Sequence, residues 1–241
     1  REKEELLRLL KEIAERILDI LRKALELLDR VVELDNRTSK ELLELSAELV
    51  KRILEAVRDG KPEEEIRKTL ERVKKESRKI VEKNKRLNEE VLKELEKLVD
   101  ELRKLLEDIK RKLDELNVPD EVRKVLEDLA RLLKEVIDLL RRLLEENSRV
   151  SEEIVKLNEE ALKTLEELVK RLVDLERKGT SEEEKKRLLD DLRRILREYE
   201  ERVKKLNDEH KKLEKEIKDK VKRILDEIRR TLDKILKELR K

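Results

Sequence analysis

Leucine, isoleucine, valine and alanine recur along this chain in steps of three and four, and charged residues fill most of the positions between them. The first such stripe runs Leu6, Leu7, Leu10, Ile13, Ile17, Leu21, Ala24, Leu28, Val31. It resumes through Leu42, Leu45, Leu49, Ile53 and Ala56, with Leu43, Val50 and Val57 joining one edge. A second stripe runs from Ile66, Leu70 and Val73 to Leu102, Leu106, Ile109 and Leu113. Steps of three and four place these residues on one face of an α-helix. The face rotates slowly against a strict seven-residue repeat, as a nearly straight helix of 3.6 residues per turn requires and a two-strand rope would not show. Its width suits a helix with two neighbours, the arrangement of a bundle.

Three short stretches divide the pattern: Asp59-Gly60-Lys61-Pro62, Asn117-Val118-Pro119-Asp120 and Gly179-Thr180-Ser181. Gly60 and Gly179 follow basic turns and read as helix C-terminal closures. Pro62 and Pro119 precede acidic residues and read as first-turn prolines. Ser181 with Glu184 fits a capping box. Four helices are therefore predicted, at about 1–59, 62–117, 119–178 and 181–241, each on the order of 85 Å long. Connections so short turn each helix back beside the last. The predicted fold is all-α: one single-chain, antiparallel, up-down-up-down four-helix bundle of very long, nearly straight helices over residues 1–241. It is made of two hairpins, 1–117 and 119–241.

Polar residues interrupt the stripes. The stretch Leu34-Asp35-Asn36-Arg37-Thr38-Ser39 breaks the first one, and Asn84, Asn88, Asn147, Ser151, Asn207 and His210 break the others. In an antiparallel hairpin, residues at one height have numbers placed symmetrically about the loop. With loops centred near 60, 118 and 179, position 36 is level with about 84, then 151, then 207. One polar layer is predicted from Asp35, Thr38, Ser39, Asn84, Asn88, Asn147, Ser151, Asn207 and His210, with Asn36 and Ser148 at its edges. A second comprises Ser46, Ser77, Asn158 and Tyr199. Buried polar groups are costly unless bonded, so these are expected to hydrogen-bond across the helices, with Asp35 accepting from His210 or Thr38. A helix slipped by one turn would leave them unpaired, so their expected role is to select a register.

Composition narrows the function classes. Of 241 residues, 54% are charged, with 66 basic and 64 acidic side chains. Balance at that density gives no one-sided field for nucleic acid. Periodic Leu, Ile and Val argue against disorder despite the charge. There is no Cys, and hence neither a disulfide framework nor a thiolate site. No Met, Phe, Trp or Gln occurs, and there is one His and one Tyr. Apolar residues never run more than two together, which excludes a membrane-spanning helix.

Asn, Ser, Thr, His and Tyr layers in a Leu/Ile/Val core, on long helices joined by minimal Gly/Pro loops, resemble de novo designed helical bundles with buried hydrogen-bond networks. That group includes designed helical-hairpin heterodimers and cage-and-latch switches. The resemblance covers the whole chain and is one of style. It implies a structural or interaction role without catalytic residues, no native localisation, and a protein soluble in the cytoplasm of an expression host.

His210 is the residue that invites a metal reading, but a di-metal bundle needs Glu-x-x-His on two helices, and here Asn207-Asp208-Glu209 precede a lone His. No metal or cofactor is expected. A core histidine bonded to its neighbours is the plainer reading, and its protonation near Asp35 is expected to loosen the bundle. Tyr199 reads as a core ring with its hydroxyl in a network rather than a catalytic phenol. Phosphate-loop, nucleophile-elbow and zinc motifs are absent, so no enzyme is expected. Lipid binding is disfavoured because polar core positions would go unsatisfied against lipid, and liposome flotation tests it. No partner is required. A designed helical partner or a homo-oligomer is compatible with the pattern. Two alternatives stand within it: the hairpins 1–117 and 119–241 as halves of a two-chain complex joined through Asn117–Asp120, or helix 4, whose stripe thins at Leu213, Ile217 and Val221, as a displaceable latch.

Overall fold

The computed structural model describes residues 2–60, 63–115, 118–179 and 182–240, the side chains of residues 2, 3, 113 and 239 apart. It contains four helices: α1 (Glu2–Arg58), α2 (Glu63–Glu115), α3 (Asp120–Lys178) and α4 (Glu182–Arg240). No strand occurs among the described residues. Pro62, Asn117, the side chain of Leu113 and Ser181, on which the capping box depends, lie outside them.

The helix ends follow their local chemistry. Asp59 N–H donates to the Glu55 carbonyl at 2.9 Å and Gly60 N–H to that of Val57 at 3.4 Å, closing the last turn of α1. Gly60 and Gly179 take φ of 64° and 60°, the left-handed region that side chains with a Cβ avoid. A Cβ at Gly60 would meet no atom within 4 Å, so the barrier there is backbone conformation alone. Gly60→Ala is expected to cost about 1 kcal/mol, seen as a lower urea midpoint with an unchanged slope. At the start of α3, Pro119 offers its carbonyl to Arg123 N–H at 2.9 Å, so the proline caps the helix from just outside its first turn. Acidic residues open α2, α3 and α4, and basic residues close all four helices, each complementing the helix dipole.

Packing divides the chain into two compact units. Unit 1 comprises Arg1–Val32, Glu89–Asn147 and Lys211–Lys241, and unit 2 comprises Glu33–Asn88 and Ser148–His210. Each unit draws a segment from every helix, so the division does not fall between the two hairpins. In unit 2, cross-helix contacts fix the directions. Arg72 meets Glu48 and Asn88 meets Asp35, so α2 descends as α1 rises. Arg177 meets Glu63, Lys74 meets Glu166 and Asn88 meets Ser151, which reverses α3 against α2. Asn207 meets Ser39 and His210 meets Asp35, which sets α4 against α1. This is the up-down-up-down four-helix bundle.

The apolar stripes form the core. In unit 2, Leu49 and Ile53 of α1, Val73 of α2, Leu165 and Leu172 of α3 and Leu192 of α4 sit together with almost no exposure. In unit 1, Leu10, Ile17, Leu102, Leu126, Ile217 and Ile228 are each fully buried. Every such side chain contributes roughly 1.5–3 kcal/mol. Ile217 and Val221 are thus core residues and only Leu213 is half-buried, so α4 does not thin where its sequence suggested. The surface carries many ion pairs within single helices, such as Arg52–Glu48 and Arg67–Glu63, which contribute little individually.

Candidate functional site

The buried polar residues are placed by stripe position. Asp35 occupies the place on α1 that a leucine would take between Leu28 and Leu42, and it is fully buried. Its Oδ1 accepts from Asn88 Nδ2 at 3.0 Å and from Ser151 Oγ at 3.1 Å. Asn88 Nδ2 also donates to Ser151 Oγ at 3.0 Å, closing a triangle over α1, α2 and α3. Asn84, one turn earlier on α2, hydrogen-bonds the same carboxylate. The other oxygen, Oδ2, has no hydrogen bond and faces His210 Nδ1 of α4 at 3.8 Å. A second string runs from Asn207 Nδ2 to Ser39 Oγ at 2.9 Å, and from Ser39 Oγ to the Asn36 backbone carbonyl at 3.0 Å. The first layer, in unit 2, therefore brings all four helices to one carboxylate and one serine.

Burial dominates the electrostatics here. It pushes the Asp35 carboxyl up to about 6, and the donors Asn88, Ser151 and Asn84 offset only part of the rise. No lysine or arginine is placed against this group among the described contacts. The Oδ1 atoms of Asn84 and Asn88 are buried without partners, so both amides act purely as donors toward Asp35.

Several sequence expectations need correction. His210 is buried, but its Nδ1 stands 3.8 Å from Asp35 Oδ2, beyond hydrogen-bond distance. Thr38 is buried, yet the hydroxyl bonded to Asp35 is that of Ser151. Asn147 belongs to unit 1, and neither its Nδ2 nor its Oδ1 has a hydrogen-bond partner. Asn36 is half-buried and contributes its carbonyl, while Ser148 is exposed. The second layer is only partly joined. Tyr199 donates its hydroxyl to Asn158 Oδ1 at 3.4 Å, whereas the hydroxyls of Ser46 and Ser77 are buried with no partner. Burial also pushes the Tyr199 phenol well above its ordinary range.

Some polar positions escaped the sequence reading. Thr69 and Thr231 lie in the core and turn their hydroxyls back to carbonyls of their own helices, Glu65 at 2.8 Å and Glu227 at 2.9 Å. In unit 1, Glu214 and Lys218 of α4 meet Asp29 of α1. Burial, and then the hydrogen bond with Asp29, push Glu214 up to about 7. Burial opposes ionisation of Asp29, but hydrogen bonds from Lys218 and with Glu214 hold it below the usual range. Only their charge distinguishes these positions from any other surface residue, so no sequence signal marked them.

Among the described residues no group of three or more His, Cys, Asp or Glu side chains is placed to hold a metal ion. None of the described helices is long and apolar enough to cross a membrane. Compared with protein-family models, curated proteins and solved structures, the chain matches none of them.

Proposed function

We propose that this chain is a de novo designed helical scaffold or interaction module with no native substrate, whose buried polar groups specify how its helices align. The observation that carries this reading is the Asp35 carboxylate bonded to side chains from two other helices inside an otherwise apolar bundle. Such a group lowers stability relative to a leucine, and its gain lies in penalising other alignments. Asp35, Asn84, Asn88 and Ser151 are engaged with one another, which supports a structural rather than an enzymatic role. Minimal loops, a narrow residue alphabet and balanced charge support a designed origin.

Replacing Asp35, Asn84, Asn88 and Asn158 together by Leu tests the reading. The expected protein melts at the same or a higher temperature, yet shows mixed oligomeric states by light scattering and broadened spin-label distances across α1 and α2. A single monomeric species with one sharp distance distribution would remove the alignment role. A second reading, in which one helix gives way to a partner helix, is favoured by how thinly α2 is held in unit 2.

A further inference from the structure

The four segments of unit 2 are not equally anchored. The α3 segment commits Val150, Ile154, Leu165, Val169, Leu172 and several more apolar residues to the core. The α2 segment commits Ile66, Leu70 and Val73, and from there to Asn88 it places no fully buried apolar side chain. Its buried positions over that stretch are Ser77, Asn84 and Asn88, with Ile80, Val81 and Leu87 only half-buried. Beside Ser77 the seam between α2 and α3 stands open as a groove of about 410 Å³ lined by Ser77, Val81, Val155, Asn158 and Leu162 together with six charged side chains. The buried Ser77 hydroxyl has no partner. Elements with few buried apolar contacts open first.

What α2 covers is chemically specific. Asp35 of α1 lies beneath it and receives amide donors from Asn84 and Asn88, one turn apart on the same face. Flanking ion pairs fix polarity: Arg72 on Glu48 at 2.7 Å, Lys74 on Glu166 at 2.5 Å, and Glu63 held by both nitrogens of Arg177 that reach it, at 2.9 and 2.5 Å. An incoming helix with an all-leucine face would strand the Asp35 carboxylate, a heavy penalty for a buried group.

We infer that α2 residues 63–88 are the displaceable segment of unit 2, and that the surface beneath accepts an amphipathic helix carrying two Asn one turn apart over Asp35. This deepens the interaction-module reading and rests on it. The occupant is a helix with Glu at its start, Arg and Lys toward its middle, and the Asn pair near its end, which is α2's own pattern.

The probe is a fluorescent peptide of residues 63–88 with Ser77→Leu, equilibrated with the full chain in mild denaturant and then diluted. A second peptide adds Asn84→Leu and Asn88→Leu. The first peptide is expected to bind by anisotropy while amides 63–88 of the protein lose hydrogen-exchange protection. The second is expected to bind about tenfold or more weakly at pH 7.5, the discrimination a buried unpaired carboxylate imposes. Without peptide, amides 63–88 are expected to exchange at least about tenfold faster than amides 148–178. Absence of binding, equal binding of the two peptides, or exchange in 63–88 as slow as in 148–178 would each overturn the inference. None of these results bears on alignment, which the four-leucine protein tests separately.

Discussion

Asn88→Leu is expected to destabilise the protein by about 3 kcal/mol at pH 7.5, although it puts an apolar residue into an apolar core. Asn88 Nδ2 holds both Asp35 Oδ1 and Ser151 Oγ at 3.0 Å. Without it the carboxylate keeps Ser151 and Asn84 alone, in a site from which water is excluded. The cost arises from the group left behind, so it should shrink as the pH falls and Asp35 takes up a proton. Chemical denaturation at pH 7.5 and 5 measures both values. A loss under about 1 kcal/mol at pH 7.5, of the size of an ordinary neutral hydrogen bond, would mean that Asn88 does not hold the charge.

Asp35→Asn is expected to act in the opposite direction, raising stability at pH 7.5 by up to about 3 kcal/mol, the equivalent of a carboxyl raised from 3.8 to about 6. The sign follows from proton uptake. A carboxyl with a folded pKa above its unfolded value binds its proton more tightly in the native protein. Its destabilising effect is therefore complete above about pH 6, fades as the pH falls toward 3.8, and is gone below that. The parent should accordingly gain from Asp35 on mild acidification, and the variant should lack that gain. Glu214, pushed up to about 7 by burial, also takes up its proton between pH 7.5 and 5, so the difference between the two profiles, rather than the slope of either, reports Asp35. The sequence had assigned acid sensitivity to His210 alone. Equal pH profiles for parent and variant would show that Asp35 does not titrate in this window.

The helices were legible because their signals are local. Gly60 and Gly179 closed helices where left-handed backbone was needed, and the steps of three and four between apolar residues became buried faces. The alignment of Asp35 with Asn88 and Ser151 followed from counting outward from the loops, since 1.5 Å per residue leaves little freedom over so few turns. Counting fixes height to about a turn but does not say which side chains reach. The triangle forms because Asn and Asp side chains are long enough to meet between axes, whereas the buried hydroxyls of Ser46 and Ser77 meet no partner. His210 Nδ1 stands 3.8 Å from Asp35 Oδ2, out of hydrogen-bond reach, a separation no sequence pattern carries. How deeply a half-apolar stretch packs is hidden from the sequence for a related reason. Half-apolar stretches look alike in α2 and α4, but Ile217 and Val221 pack fully whereas Ile80 and Val81 do not.

Because every helix lends a segment to each unit, neither unit corresponds to a continuous stretch of gene. Residues 33–88 and 148–210 together contain both glycine closures and the whole Asp35 triangle. Asn88 touches Ser151, so the end of one piece lies beside the start of the other and a few linking residues would span them. A miniature protein encoded that way would carry the complete carboxylate-centred lock on a chain little more than half as long.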